Sequence, residues 1–197
     1  MPLIHAAEVY EKAASAEPEP DDAFANEPLR SITTLIADVL VATAFGLILG
    51  GIYTANGRGG WKYGLLCGVV GFAIFQLAPA IAVPPAVPGM EVAPLALRQT
   101  AWWVSAVSAA VGFILLAILP KLAKLAGVVF YLMPAAVFHC LSPLPAPTTQ
   151  VHAVALIERS FVARTLGGML VFWLILGAVS GHLFARQRNA TSMRAAG

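Results

Sequence analysis

One carboxylate inside an apolar run poses the first chemical question. Asp38 lies about seven residues into the stretch from Ser31 to Thr54, which holds no other charged side chain. A carboxylate at mid-membrane costs ~2.5–3.5 kcal/mol on insertion scales, so it needs a partner, a proton or water. Four further apolar runs each offer a polar group near one end. Gln76 is late in the second, Arg98 and Gln99 head the third, His139 ends the fourth, and Arg164 is about one turn into the fifth. Helices that alternate in direction bring these groups to a similar depth. Two readings stand. Asp38 forms a structural ion pair with Arg98 or Arg164, or the belt is the outer vestibule of an ion path.

A second constellation precedes the apolar runs. His5, Glu8 and Glu11 stand at i, i+3 and i+6, so successive members share a helix face. An imidazole and two carboxylates suit a borderline divalent ion such as Co²⁺. A solvated acidic helix face is the alternative. His152 and His182 read as interfacial histidines, and Cys67 and Cys140 as buried thiols rather than a disulfide or metal pair. The chain has no Gly-x-x-x-x-Gly-Lys-Ser/Thr loop, Cys-x-x-Cys-His site or Gly-x-Ser-x-Gly nucleophile. It is therefore expected to be no enzyme and to hold no cofactor, with any metal being cargo.

The elements that must position these groups are set by composition. Of 197 residues 59% are hydrophobic and 11% charged, against about 25% charged in soluble domains. The mean hydropathy is +0.80. The lipid bilayer is the implied partner. A net charge of +2 with no basic, aromatic-interleaved stripe argues against nucleic acid. The apolar runs cover about 31–54, 61–83, 101–119, 124–140 and 161–184. A hydrocarbon core ~30 Å thick takes about 20 helical residues. Backbone polar groups in lipid must pair within the segment, so helices are expected. The predicted fold is an all-α, polytopic integral membrane helix bundle of five transmembrane helices. A polar acidic segment, 1–30, precedes the 31–184 membrane domain, and a basic tail, 185–197, follows it.

The turn between the first two runs, Asn56-Gly57-Arg58-Gly59-Gly60, is glycine-rich, and 142–150 reads as a proline-rich loop. Glycine pairs four apart, Gly46/Gly50, Gly64/Gly68 and Gly177/Gly181, predict close helix contacts. With five spans, Arg58, Lys62, Lys121, Lys124, Arg186, Arg188 and Arg194 share one side with no acidic residue. The positive-inside rule then puts the C-terminus in the cytoplasm and the N-terminus outside.

The stretch from Pro84 to Trp103, PPAVPGMEVAPLALRQTAWW, separates the second and third runs. Pro84, Pro85, Pro88 and Gly89 exclude a helix at its start. The Trp102-Trp103 pair suits the water–lipid boundary, so an ordered loop at the mouth of the bundle is expected. The segments VPPAVPG and APLALRQTAWW resemble the bacterial CbtA family, membrane proteins proposed to be cobalt transporter subunits. The opening PLIHAAEVYE and the closing LVFWLILGAVSGHLFAR are also similar to that family. The resemblance implies a multi-pass protein of the bacterial cytoplasmic (inner) membrane that acts in uptake of cobalt or another divalent cation with a small membrane protein partner. It also implies one more hydrophobic helix before Pro2, an acidic residue at the position of Ala86, and a Pro-His pair where Pro134-Ala135 stands, with His139 further on. These departures favour the alternative, a non-transporting accessory subunit that packs against a larger membrane complex.

Overall fold

The computed structural model describes residues 27–85, 94–141 and 151–196. Every regular element among them is helical: α1 Glu27–Asn56, α2 Trp61–Phe72, a π-helical turn Ala73–Leu77, α3 Ala78–Ala82, α4 Leu95–Ile118, a 3₁₀ turn Lys121–Ala123, α5 Lys124–Leu141 and α6 Val151–Ala196. Five segments are long and apolar enough to cross a membrane: Ser31–Asn56, Trp61–Ala82, Leu95–Ile118, Lys121–Cys140 and Ser160–Arg194. The all-α, five-span expectation holds.

Several helix limits differ from the sequence reading, among them the starts of α1 at Glu27 and α6 at Val151, earlier than the expected 31 and 161. Pro94 stands immediately before α4 and starts it at Leu95, six residues early. Trp102 and Trp103, expected in the central loop, therefore stand on a helix about two turns in. The fourth span gains a turn because the 3₁₀ segment runs directly into α5, and Pro134 lies inside α5 without ending it. The last helix runs on to Ala196 because residues 185–196 contain neither Gly nor Pro to stop it. Its 46 residues extend about 69 Å at ~1.5 Å each, well beyond a bilayer core.

The chain divides into two compact units. One holds described residues 70–85, 94–141 and 151–170; the other holds 27–69 and 171–196. In the second unit α1 closes with Gly57 at φ +59°, where Gly57 N–H donates to Thr54 O and Arg58 N–H to Tyr53 O, both 3.2 Å. This six-to-one and five-to-two pairing caps the helix carbonyls and needs a left-handed residue, hence glycine. The returning α2 then meets α6 backbone to backbone. A methyl group on Gly64 or Gly177 would enter the other's carbonyl, and one on Gly68 the carbonyl of Trp173. Such contact replaces hydrophobic drive, which is absent between helices in lipid. Around that seam Tyr53 and Trp173 are fully buried. Tyr53 Oη lies 3.1 Å from Ser180 Oγ and 3.3 Å from Gly177 O, and Phe45 packs on Trp173 with ring centres 4.6 Å apart. The Gly46/Gly50 pair plays no such part: Gly46 has only an ordinary contact with Leu176, and Gly50 has nothing within 4 Å.

The first unit is built from two antiparallel helices and a third that joins them. Gly112 of α4 and Gly127 of α5 approach through their carbonyls, and Phe113 meets Tyr131 edge to face at 5.8 Å. The end of the second span lies along both, with Tyr131 reaching Ala73 and Trp102 stacking on Phe75.

Candidate functional site: the proline-broken end of the first unit

Two prolines inside membrane helices create the local chemistry. Pro79 has no N–H to give, and its ring crowds the preceding turn. The helix relaxes one turn earlier into the π segment Ala73–Leu77, where Ala78 N–H reaches back to Ala73 O. Pro134 likewise cannot donate to the carbonyl of Phe130, its usual i−4 acceptor. Carbonyls freed in this way within hydrocarbon must find donors from neighbours. Ser108 Oγ donates to the Phe130 O that Pro134 leaves, and Tyr131 Oη adds a second donor, at 3.0 Å, to Ala73 O, which already accepts from Ala78 N–H. One turn before Ser108, Ser105 is 1% exposed, and its hydroxyl has no partner among the described residues.

At the end of this break His139 meets the last turn of α3. Its Nε2 lies 2.9 Å from Ile81 O. A carbonyl oxygen only accepts, so Nε2 carries the proton and donates. In the neutral ring the lone pair then sits on Nδ1. This is the arrangement of metal-binding histidines, whose second nitrogen is held by a carbonyl or carboxylate. His139 as a whole is exposed. Among the described residues no group of three His, Cys, Asp or Glu side chains converges to hold a metal ion.

The other expected residues are placed as follows. Gln76 lies within the π turn and is half-buried; Pro84 and Pro85 follow α3 and are half-buried. Arg98 and Gln99 are exposed in the first turn of α4. Trp102 is half-buried and stacks on Phe75, ring centres 6.3 Å apart, while Trp103 is 64% exposed and meets Trp102 edge to face at 5.1 Å. Such an exposed indole on a span suits the lipid boundary. Arg164 is exposed on α6, and Asp38 is exposed on α1 in the other unit, with no ion pair to the described residues of its own unit. His5, Glu8, Glu11, Pro88 and Gly89 lie outside the described residues. The thiols are free; Cys67 is half-buried and Cys140 exposed, so the expectation of burial fails for Cys140 because its helix face there is unpacked.

Sequence reasoning missed Ser108, Tyr131 and the Ile81 carbonyl. Two of them had a signal: Pro134 leaves Phe130 O for Ser108, and Pro85, four residues after Ile81, leaves that carbonyl without a helical amide, whereas nothing in the sequence marks Tyr131.

The family model described as "Probable cobalt transporter subunit (CbtA)" matches residues 1–185. No curated protein and no solved structure matches the chain.

Proposed function

Because this chain belongs to the CbtA family, we propose that it is a multi-pass membrane subunit for uptake of cobalt or a similar divalent cation, with His139 as an exchange ligand on the cation's route. The observation that carries this reading is the bond between His139 Nε2 and Ile81 O. It commits Nε2 to the carbonyl and leaves the lone pair on Nδ1, and a borderline ion such as Co²⁺ favours a neutral imidazole. A single ligand suits conduction, where binding must be weak enough to release. The ion's remaining ligands come from water, from the acidic segment with His5, Glu8 and Glu11, or from a partner subunit. In this reading the N-terminus faces outward and the C-terminus the cytoplasm of a bacterial inner membrane, the orientation that the acid-free basic side favours.

Uptake of labelled cobalt by cells producing His139→Ala, His139→Gln and the unchanged protein at equal membrane levels tests the assignment. Loss in both variants, with helix content and micelle elution unchanged, is expected. Normal uptake in both would remove His139 from the route. A second reading, a non-transporting accessory subunit, draws on the lack of a three-ligand group among the described residues. It expects both variants to retain complex assembly and uptake.

A further inference from the structure

In the second unit one stripe of α1 is covered at its lower end and open at its upper end. Asp38, Ala42, Phe45, Leu49 and Tyr53 follow one another at spacings of three or four residues, so they run down a single face of the helix. The lower three are packed. Phe45 lies on Trp173, Leu49 is 2% exposed, and Tyr53 is fully buried with its hydroxyl at Ser180. Above Phe45 the cover stops. Ala42 is half-buried, and every residue from Ser31 to Val41 is exposed. For Ile32, Leu35, Ile36, Val39 and Leu40 this is ordinary, because lipid covers an apolar side chain as well as protein does.

For Asp38 it is not. The span starts at Ser31, so Asp38 stands about 10 Å into it at ~1.5 Å per residue, where a carboxylate facing lipid is costly. Its own unit supplies no counter-charge at that level. Arg30, the nearest cation in sequence, precedes it by eight residues, about 12 Å of helix. Arg58 follows it by twenty residues, about 30 Å away, and Arg188 belongs to that same end through its bond to Gly57 O. A second copy of the chain in a two-fold contact does not supply the charge either. Two copies in one membrane share an orientation, so Asp38 would meet Asp38, and like charges repel.

We propose that the upper stripe of α1 is the docking face for a transmembrane helix of a partner subunit that carries a lysine or arginine at the depth of Asp38. That helix continues the seam that α6 fills beside Phe45 and Tyr53, and its cation pairs with the Asp38 carboxylate. Ala42, one turn below, presents only a methyl group and lets the helix come close. The proposal rests on the chain being one subunit of a membrane complex, which both functional readings share.

The test uses the full chain in phosphatidylcholine bilayers with a synthetic leucine–alanine helix of about 21 residues, long enough to span. One form carries a single lysine two turns from its end, and the control carries leucine there. Energy transfer from a donor at Ala16→Cys, with Cys67 and Cys140 replaced by Ala, to an acceptor on the peptide reads association. The lysine form is expected to associate more tightly than the control by about threefold, and up to about 18-fold, the range of interhelical polar contacts in membranes. Asp38→Asn should abolish that preference with thermal unfolding unchanged, and Asp38→Glu should keep it. In cells, a photoreactive residue at Leu35 should yield an adduct with one membrane protein, lost when the cation in the cross-linked helix of that protein is neutralised. No preference in the unchanged protein, or the same preference in Asp38→Asn, would overturn the proposal. So would a preference that appears only after Arg98→Gln or Arg164→Gln, since Asp38 would then already be paired within the chain. Adducts confined to lipid or to a second copy would overturn it as well. Cobalt uptake enters neither arm, so failure here and failure of the transport reading are separate results.

Discussion

Replacing Ser108 by alanine removes the hydroxyl that serves the Phe130 carbonyl, the acceptor that Pro134 leaves without an amide. Interhelical hydrogen bonds in membrane proteins average ~0.6 kcal/mol and reach ~1.7. This bond belongs in the upper part of that range. Its acceptor has no helical donor to fall back on, and an unpaired buried carbonyl costs ~1–3 kcal/mol. A loss of about 1–2 kcal/mol is therefore expected for Ser108→Ala. The same change in a Pro134→Ala background should cost less than about 0.5 kcal/mol, because residue 134 then supplies its own amide to Phe130 O. The coupling of about 1 kcal/mol is the quantity of interest, since the helix-propensity gain of Pro134→Ala cancels in the cycle. Reversible unfolding of the four proteins in mixed micelles measures it. Equal costs of Ser108→Ala in the two backgrounds would refute the account, and Ser108 would then be no more than a small residue at a close crossing.

Three further outcomes follow from the same geometry. Gly177→Ala puts a methyl group into the Gly64 carbonyl, so it should destabilise the second unit by at least about 1–3 kcal/mol, while Gly50→Ala, with open space around it, should stay within about 0.5 kcal/mol of the unchanged protein in the same unfolding assay. Asp38→Asn should fold normally and lose cobalt uptake if its charge lies on the cation route; a fall in stability that neutralising Arg98 or Arg164 partly restores would instead make it a structural ion-pair member. With Cys67 and Cys140 replaced by Ala, an impermeant thiol reagent applied to intact cells should label Ala16→Cys and spare Ala195→Cys; labelling of the second alone would reverse the orientation.

The spans were legible because lipid removes most alternatives. Apolar length fixes where a helix must lie, since every backbone group has to pair inside it. Their ends were less so. Arg98 and Gln99 hid the true start of α4, because a polar first turn outside the hydrocarbon looks like loop when only hydropathy is followed. Glycine spacing identified half of the close contacts. The pairs Gly64/Gly68 and Gly177/Gly181 lie in α2 and α6 and meet each other. Gly112 and Gly127, which meet as closely, carry no spacing signal because each is alone on its helix. Gly46 and Gly50 show the converse: the right spacing on a face that α6 approaches only through the Leu176 side chain. For the site, the sequence marked His139 as polar at a helix end, but what gives it chemical meaning is the carbonyl of a residue 58 positions away. Backbone acceptors have no letter in a sequence. They become predictable only through the residues that free them: Pro134 frees Phe130 O, and Pro85, four residues after Ile81, leaves Ile81 O without a helical amide. Pro79 and Pro134 are thus the better starting point for reading this unit than its ionisable side chains. They fix where regular helical pairing must change: Ser108 serves the carbonyl that Pro134 frees, and Tyr131 adds a donor at Ala73 O, where the π turn before Pro79 begins.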